Sequence, residues 1–361
     1  MKIYSFHTHL TIILFSFNID LILKKESILM FHDFYQFLSY YTDNIIAIIS
    51  GSFVGYTLVK LYSRKKTPKK IILPAVKPKF DCSFDALVTL ANNGDALAQC
   101  ELGLRYYKGD NILQNYKQAY EWFMKAANQN DAEAIYYIGM IYLWGKAGQK
   151  RSNPKALRWL LKSAEMGYDV AQLQVGALRE SGRGKKADVI EAGNWYLKAA
   201  ENGNAEAQYI MGEILSSGND PHYEYAELLL LSSAEQNNTK AQRLLAYLYT
   251  EGAGYSRNLK EAYKWTKRAA ENWDKAAFCS LGILYQYGKG VQKNYEKAFY
   301  WYKMAADMNL PEGQYHLGIM YQEGLHVPKD PVESKKWFDL SKIPPNQEGL
   351  WRRSSSVKRW W

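Results

Sequence analysis

The sequence predicts an all-α protein: an α/α superhelical solenoid of about seven helix pairs, preceded by an N-terminal transmembrane helix. Three observations carry that prediction. A block of small and aromatic residues recurs every 34 to 37 residues, and a fixed period in this range marks stacked helical repeats. One apolar run, residues 45–62, has the length of a membrane crossing. The charge is uneven: the chain of 361 residues carries a net +10, with +7 in residues 1–80, zero in 81–344 and +3 in 345–361. The neutral middle offers no net pull on a polyanion, so the sequence predicts no nucleic-acid partner.

Residues 1–43 contain an apolar stretch at 3–23 broken by His7, His9, Asn18 and Asp20. No small-residue cleavage pattern follows it, which points to an interfacial or second membrane segment rather than a removed signal peptide. A start at Met30 would remove it. Residues 44–62 are the expected transmembrane helix, whose run IIAIISGSFVGYTLVKLY spans about 27 Å at about 1.5 Å per residue. A buried helix of a soluble domain is the competing reading. Gly51 and Gly55 form a G-x-x-x-G spacing, which suits close approach of two membrane helices and so a homodimer. Residues 63–80 form a basic linker with Arg64, Lys65, Lys66, Lys69, Lys70, Lys77 and Lys79 among three prolines. Positive charge after a span is retained on the cytoplasmic side, so the rest of the chain is expected to face the cytoplasm from a single-pass anchor.

Residues 81–343 are the expected array. The repeated Leu-Gly glycine falls at Gly103, Gly139, Gly176, Gly212, Gly282 and Gly318, with Ala246 in the fifth copy. A second glycine follows six residues later in every copy, where it can end a helix in the left-handed conformation. A small residue lies five before, from Ala98 to Gly313. The second helix of each unit pairs a small residue with a large one three later: Ala119/Trp122, Ala156/Trp159, Ala192/Trp195, Ala226/Leu229, Ala262/Trp265, Ala298/Trp301 and Ser334/Trp337. The small residues let the two backbones approach and Trp is expected to fill the groove. FDALVTLANNG (84–94) reads as a lone second helix capping the front.

The segments AQCELGLRYYKG with KQAYEWFMKAANQN, and AAFCSLGILYQYGKGVQKNYEKAFYWYKMAADMN, resemble the Sel-1-like repeat, a relative of the tetratricopeptide fold. The resemblance covers about three quarters of the chain and implies an adaptor that binds a partner protein. The fourth copy departs from it, with Leu215 for Tyr and Leu229 for Trp, which places a bend or weak joint near residues 215–250. Some relatives carry a Cys pair in each repeat. Cys82, Cys100 and Cys279 stand alone here, which agrees with a reducing compartment.

No catalytic residues, metal site or cofactor are predicted. No H-E-x-x-H motif or Cys pair accompanies the six histidines. GRGKK (182–186) lacks the earlier glycine of a phosphate loop. Ser152-x-x-Lys155 and Ser355-x-x-Lys358 have the spacing of a penicillin-binding or β-lactamase-like nucleophile, without the accompanying elements. Such a hydrolase stands as an alternative, as does an exported effector-type adaptor. The expected partner-binding residues lie on the concave face of the first helices, three before or four after the repeat glycine: Tyr107, Tyr136, Tyr209, Arg243 and Tyr315. The same positions also suit packing between adjacent repeats. Residues 344–361 form a basic, aromatic tail, read either as a membrane-surface contact or as a disordered end.

Overall fold

The structure, a computed structural model, describes residues 82–217, 222–254 and 256–342. These residues form fifteen α-helices and no strand. A lone helix, α1 (Phe84–Asn92), opens the array. Seven pairs follow, each a helix A and a helix B. They are α2 (Ala96–Lys108) with α3 (Tyr116–Asn128), α4 (Ala132–Trp144) with α5 (Asn153–Glu165), and α6 (Asp169–Glu180) with α7 (Val189–Glu201). Next come α8 (Ala205–Ser217) with α9 (Tyr223–Glu235) and α10 (Thr239–Glu251) with α11 (Leu259–Glu271). The last are α12 (Lys275–Tyr287) with α13 (Tyr295–Asp307) and α14 (Pro311–Glu323) with α15 (Pro331–Ser341). The expected membrane helix at 44–62, its flanks 1–43 and 63–80, the Gly51/Gly55 spacing and the tail 344–361 lie outside the described residues. Among the described residues no helix is long and apolar enough to cross a membrane.

Local chemistry sets each element's ends. Most helices begin at a short polar residue that caps the free N–H groups of the first turn. Asp95 accepts from Ala98 at 2.7 Å, and Asn294 from Lys297 at 2.8 Å. Five A helices stop at the second glycine, as at Gly109 with φ 76°. The chain then turns, and the N–H of the residue before helix B bonds back to the carbonyl three after the repeat glycine, as Asn294 does to Tyr285 at 2.9 Å.

The repeat glycine is where the two helices of a pair meet. A methyl group at Gly103 would lie 2.7 Å from the Phe123 ring, and one at Gly176 or Gly282 would lie 2.5 Å from Tyr196 or Tyr302. Leu160, Leu230 and Phe338 occupy the same place against Gly139, Gly212 and Gly318. This corrects the expected packing. The side chain seated on the glycine is the residue after the tryptophan, not the tryptophan. Trp195 and Trp265 are buried, but Trp122, Trp159, Trp301 and Trp337 are only half-buried. They sit one step round the helix, against the preceding B helix and the A helix of their own pair. Trp122 packs on the cluster of Leu87, Ala91, Ala98 and Leu102, and Trp159 on that of Ala126, Ala134, Ile135 and Ile138. Lysine covers the outer side of several: Lys125 Nζ lies 3.6 Å from the Trp122 ring centre and Lys198 Nζ 4.3 Å from Trp195.

The fifth pair compensates for its missing glycine. Ala246 carries the methyl that the other pairs exclude, and Thr266 stands where they have a large ring or leucine. Both are buried, and the Thr266 hydroxyl donates to the Ala262 carbonyl at 2.8 Å. The fourth pair is equally well filled. Leu215, Leu229 and Leu230 are wholly buried, so the substitutions that suggested a weak joint instead complete an aliphatic core.

Candidate partner-binding face

Helix A buries the residues at −5, −4, −1 and 0 relative to the repeat glycine, as Ala98, Gln99, Leu102 and Gly103 show in α2. At about 100° per residue, the opposite direction falls on −6, −2, +1 and +5. That direction is the more open one, with Ile283 at +1 and His316 at −2 as buried exceptions. Leu97 at −6 is 54% exposed, and Trp144 and Tyr287 at +5 are 56% and 46% exposed. The expected contact positions lie on its flank, where adjacent A helices touch.

The five expected residues therefore have different fates. Tyr315 is 1% exposed, its ring tilted on Phe338, and offers no surface to a partner. Tyr136 is buried among Val175, Leu178 and Leu160, with Tyr168 edge-on at 5.4 Å. Burial, which disfavours the phenolate, raises its pKa to about 12. Tyr209 is half-buried against the cluster of Leu245 and Trp265, and burial followed by the nearby Glu213 raises its pKa to about 12. Arg243 reaches across to the next pair and donates through Nη1 to both oxygens of Asp274, at 3.1 and 3.0 Å. Tyr107 is half-buried between Tyr116 and Tyr137, with Lys146 above its ring. Tyr136 belongs to the packing between repeats, where Tyr168 of the next turn meets it, and Tyr315 to the packing within the last pair, against Phe338.

A groove of about 390 Å³, lined by α2, the start of α4 and the turn before α6, opens on the exposed stripe. Leu97, Leu104 and Met166 supply its apolar surface; Glu101, Asp131 and Glu133 supply carboxylates. Asp131 caps α4 by accepting from the Ala134 N–H at 2.7 Å. Glu133 accepts from the Tyr168 hydroxyl at 3.1 Å, which together with burial keeps that phenol protonated well above its ordinary range. The wheel positions −6 and −2 would have found Leu97, Glu101 and Glu133. Met166 and Tyr168 come from the turn between repeats, which no helical periodicity reports.

The groove opens where a polar ladder is interrupted. In the first, third, fourth and fifth pairs a glutamine at −4 donates to the preceding B helix, as Gln99 does to the Ala91 carbonyl at 3.0 Å. An amide at the end of that pair's B helix then donates to the glutamine: Gln129 to Gln99 at 2.9 Å, Asn202 to Gln172 at 3.0 Å, Gln236 to Gln208 at 2.9 Å and Asn272 to Gln242 at 3.2 Å. The second and sixth pairs replace both members together, by Ile135 with Met166 and by Phe278 with Met308.

Family comparison settles the class of the protein. The Sel1 repeat signature matches residues 96–131, 132–168, 169–204, 205–238, 239–272, 279–310 and 311–341. The chain belongs to the Sel1 repeat family. Its fold is similar to a protective antigen with an SLR fold from uropathogenic Escherichia coli, at 29% identity and a TM-score of 0.65, over 77% of this chain and 61% of that one. A Sel1 repeat protein of Oxalobacter formigenes is similar at 28% identity and a TM-score of 0.56, over 69% of this chain and 98% of that one. Two further relatives share segments only. Chitin synthase regulatory factor 3 of Schizosaccharomyces pombe is 32% identical over 135 residues, 37% of this chain and 14% of its own length. An F-box protein of Arabidopsis thaliana is 32% identical over 110 residues, 30% of this chain and 29% of its own. Sel1 repeat proteins are protein-interaction scaffolds.

Among the described residues, those singled out for enzyme-like spacing have structural contacts. Ser152 caps α5, its hydroxyl accepting from the Lys155 N–H at 3.4 Å, so the Ser-x-x-Lys spacing here is a helix start. His316 is buried and stacked on Tyr302 at 4.5 Å. Gly182 and Gly184 of GRGKK take left-handed turns beside α5. Among the described residues no group of three or more His, Cys, Asp or Glu could hold a metal ion.

Proposed function

We propose that this Sel1 repeat protein is a membrane-tethered scaffold that holds a partner protein on its helix A face. The observation that carries the reading is the exposed stripe of helix A. It bears large apolar side chains, Leu97, Trp144 and Tyr287, that the array leaves uncovered, together with a groove lined by α2, the start of α4 and the turn before α6. Exposed apolar groups of this kind on a rigid surface suit docking of another protein. The tether rests on the apolar run and the basic residues after it, which also favour a cytoplasmic array. Paired approach of two anchors through Gly51 and Gly55 belongs to the same proposal.

Two measurements test it. Carbonate-washed membranes should retain the full chain and lose a variant lacking residues 44–62; equal release of both removes the tether. A topology reporter fused after residue 63 distinguishes a cytoplasmic array from an exported one. For the scaffold itself, replacing Trp144 and Tyr287 by serine should abolish co-purification of the partner while the thermal transition stays in place. Unchanged co-purification would remove the helix A face from the reading.

A further inference from the structure

The groove at the front of the array has a chemical bias. Three of its lining side chains are carboxylates and none of them is a lysine or arginine. Asp131 is committed to its helix start and Glu133 accepts from the Tyr168 hydroxyl through Oε1; Glu101 and Glu133 both line the groove. Glu101 is already approached by Arg105 Nε at 3.4 Å, so its site accepts a guanidinium. The lining also holds Leu97, 54% exposed, and Met166, 43% exposed. About 390 Å³ is near the lower end for ligand pockets and admits side chains of an extended peptide rather than a folded element. Carboxylates and apolar side chains together select a segment that carries both kinds of complement and repel an acidic one.

We infer that this groove takes an extended peptide segment of a partner protein in which an aliphatic side chain is flanked by lysine or arginine, an inference that rests on the scaffold reading above. The aliphatic group lies against Leu97 and Met166, and the flanking cations meet Glu101 and Glu133. The break in the amide ladder at Ile135 and Met166 is what leaves the wall apolar, so the second pair is specialised for this contact.

The test uses the full chain and a fluorescent probe peptide, Lys-Lys-Leu-Leu-Lys-Lys, with Glu-Glu-Leu-Leu-Glu-Glu as the charge-reversed control. The lysine probe should bind saturably by anisotropy and weaken as salt is raised; the glutamate probe should not bind. Glu101→Lys with Glu133→Gln should lower affinity by about tenfold or more, and Leu97→Asp should do the same. Unchanged melting by circular dichroism identifies these as binding losses; a variant that melts early is replaced by Glu101→Gln alone, which should still weaken the lysine probe. Equal binding of both probes, or a lysine-probe affinity untouched by the variants, overturns the inference. Photo-crosslinkers placed at Leu97 and at Tyr287 separate the two levels. A partner captured only from Tyr287 keeps the scaffold and overturns the groove assignment. Capture from neither overturns both. A crosslink from Leu97 to residues 69–79 of the same chain overturns the assignment by seating the chain's own basic segment there. A crosslink to an aliphatic segment between lysines or arginines of another protein supports it.

Discussion

The second and sixth pairs differ from the first, third, fourth and fifth in how their turns are held. In the four polar junctions, a buried glutamine links one B helix to the next through two hydrogen bonds, and an amide at the turn completes it. In the two apolar junctions both members have changed at once, and no amide is left without its partner. A half-converted junction would lose the amide-to-glutamine bond while keeping one polar member at the buried turn, an amide with fewer partners than it can bond, which costs stability. The lesson is that the backbone accepts two interchangeable fillings, and the choice between them decides whether the turn edge is wet or greasy. Met166 at the front and the Trp273, Phe278 and Trp301 group near the rear are the results.

The largest expected effect comes from half-converting an apolar junction. Phe278→Gln removes a fully buried ring stacked on Trp301 at 5.6 Å and inserts an amide without its partner; a loss of about 3–5 kcal/mol in urea unfolding is expected. A loss below about 1 kcal/mol would mean that the junctions are not two discrete kinds. Half-converting a polar junction should cost less. Gln242→Ile removes the bonds from the Asn272 amide and to the Ala234 carbonyl, which keep Asn237 Oδ1 at 3.4 Å and the Asn237 N–H at 3.0 Å as their other partners, for about 1 kcal/mol. Adding Asn272→Met should restore most of that, and a double-mutant cycle without coupling would break the comparison.

A smaller effect of opposite sign is expected at Trp273. Six of the seven corresponding turn positions, Gly94, Asn130, Gly167, Gly203, Asn237 and Asn309, are glycine or asparagine in the left-handed conformation. Trp273 adopts the same conformation with φ 61° and is 66% exposed. Trp273→Asn should therefore stabilise the array by about 1 kcal/mol, seen as a raised melting temperature. A lowered melting temperature would mean that its edge contact with Phe278 outweighs the backbone strain.

The least discriminating expectation concerns alkali, because it touches both kinds of junction. Burial raises the Tyr136 and Tyr209 pKa values to about 12 from an ordinary 10.0. A raised folded-state pKa means that the unfolded chain loses its proton first, so the contribution is intact below pH 10 and disappears as pH approaches about 12. Stability should start falling near pH 10, with phenolate absorbance rising alongside unfolding. Ring resonances of Tyr136 and Tyr209 that titrate near 10 in a folded chain would place these rings in water.

The array was legible because its copies align with one another. A glycine that recurs in six of seven copies with the same neighbours declares its own importance, and Ala246 stands out as the exception. What the pattern concealed was rotation about the helix axis. The Ala-x-x-Trp spacing draws the eye to Trp122 and Trp301, yet Phe123 and Tyr302 sit closer to the centre of the buried arc. The residue at that position varies among Phe, Leu, Tyr and Thr, so it lacks the uniformity that marks a motif; the smallest, Thr266, stands in the pair where alanine replaces the glycine. The same one-step rotation moved the expected binding positions onto Tyr136 and Tyr315. Including −4 and 0 in the buried arc would have turned the exposed stripe toward Leu97, Glu101 and Trp144.

The stitches between neighbouring pairs join residues 8 to 35 apart in sequence, from the bond of Gln172 to the Ala164 carbonyl to that of Gln129 to the Gly94 carbonyl. Nothing in such a scheme has to wait for a distant part of the chain. Folding can begin at any pair and spread in both directions, with a small entropic cost for each closure. During synthesis the front groove, built from residues 97 to 168, becomes complete while the last repeats are still unmade. The array can therefore engage a ligand at its amino-terminal end before its own carboxy-terminal end exists.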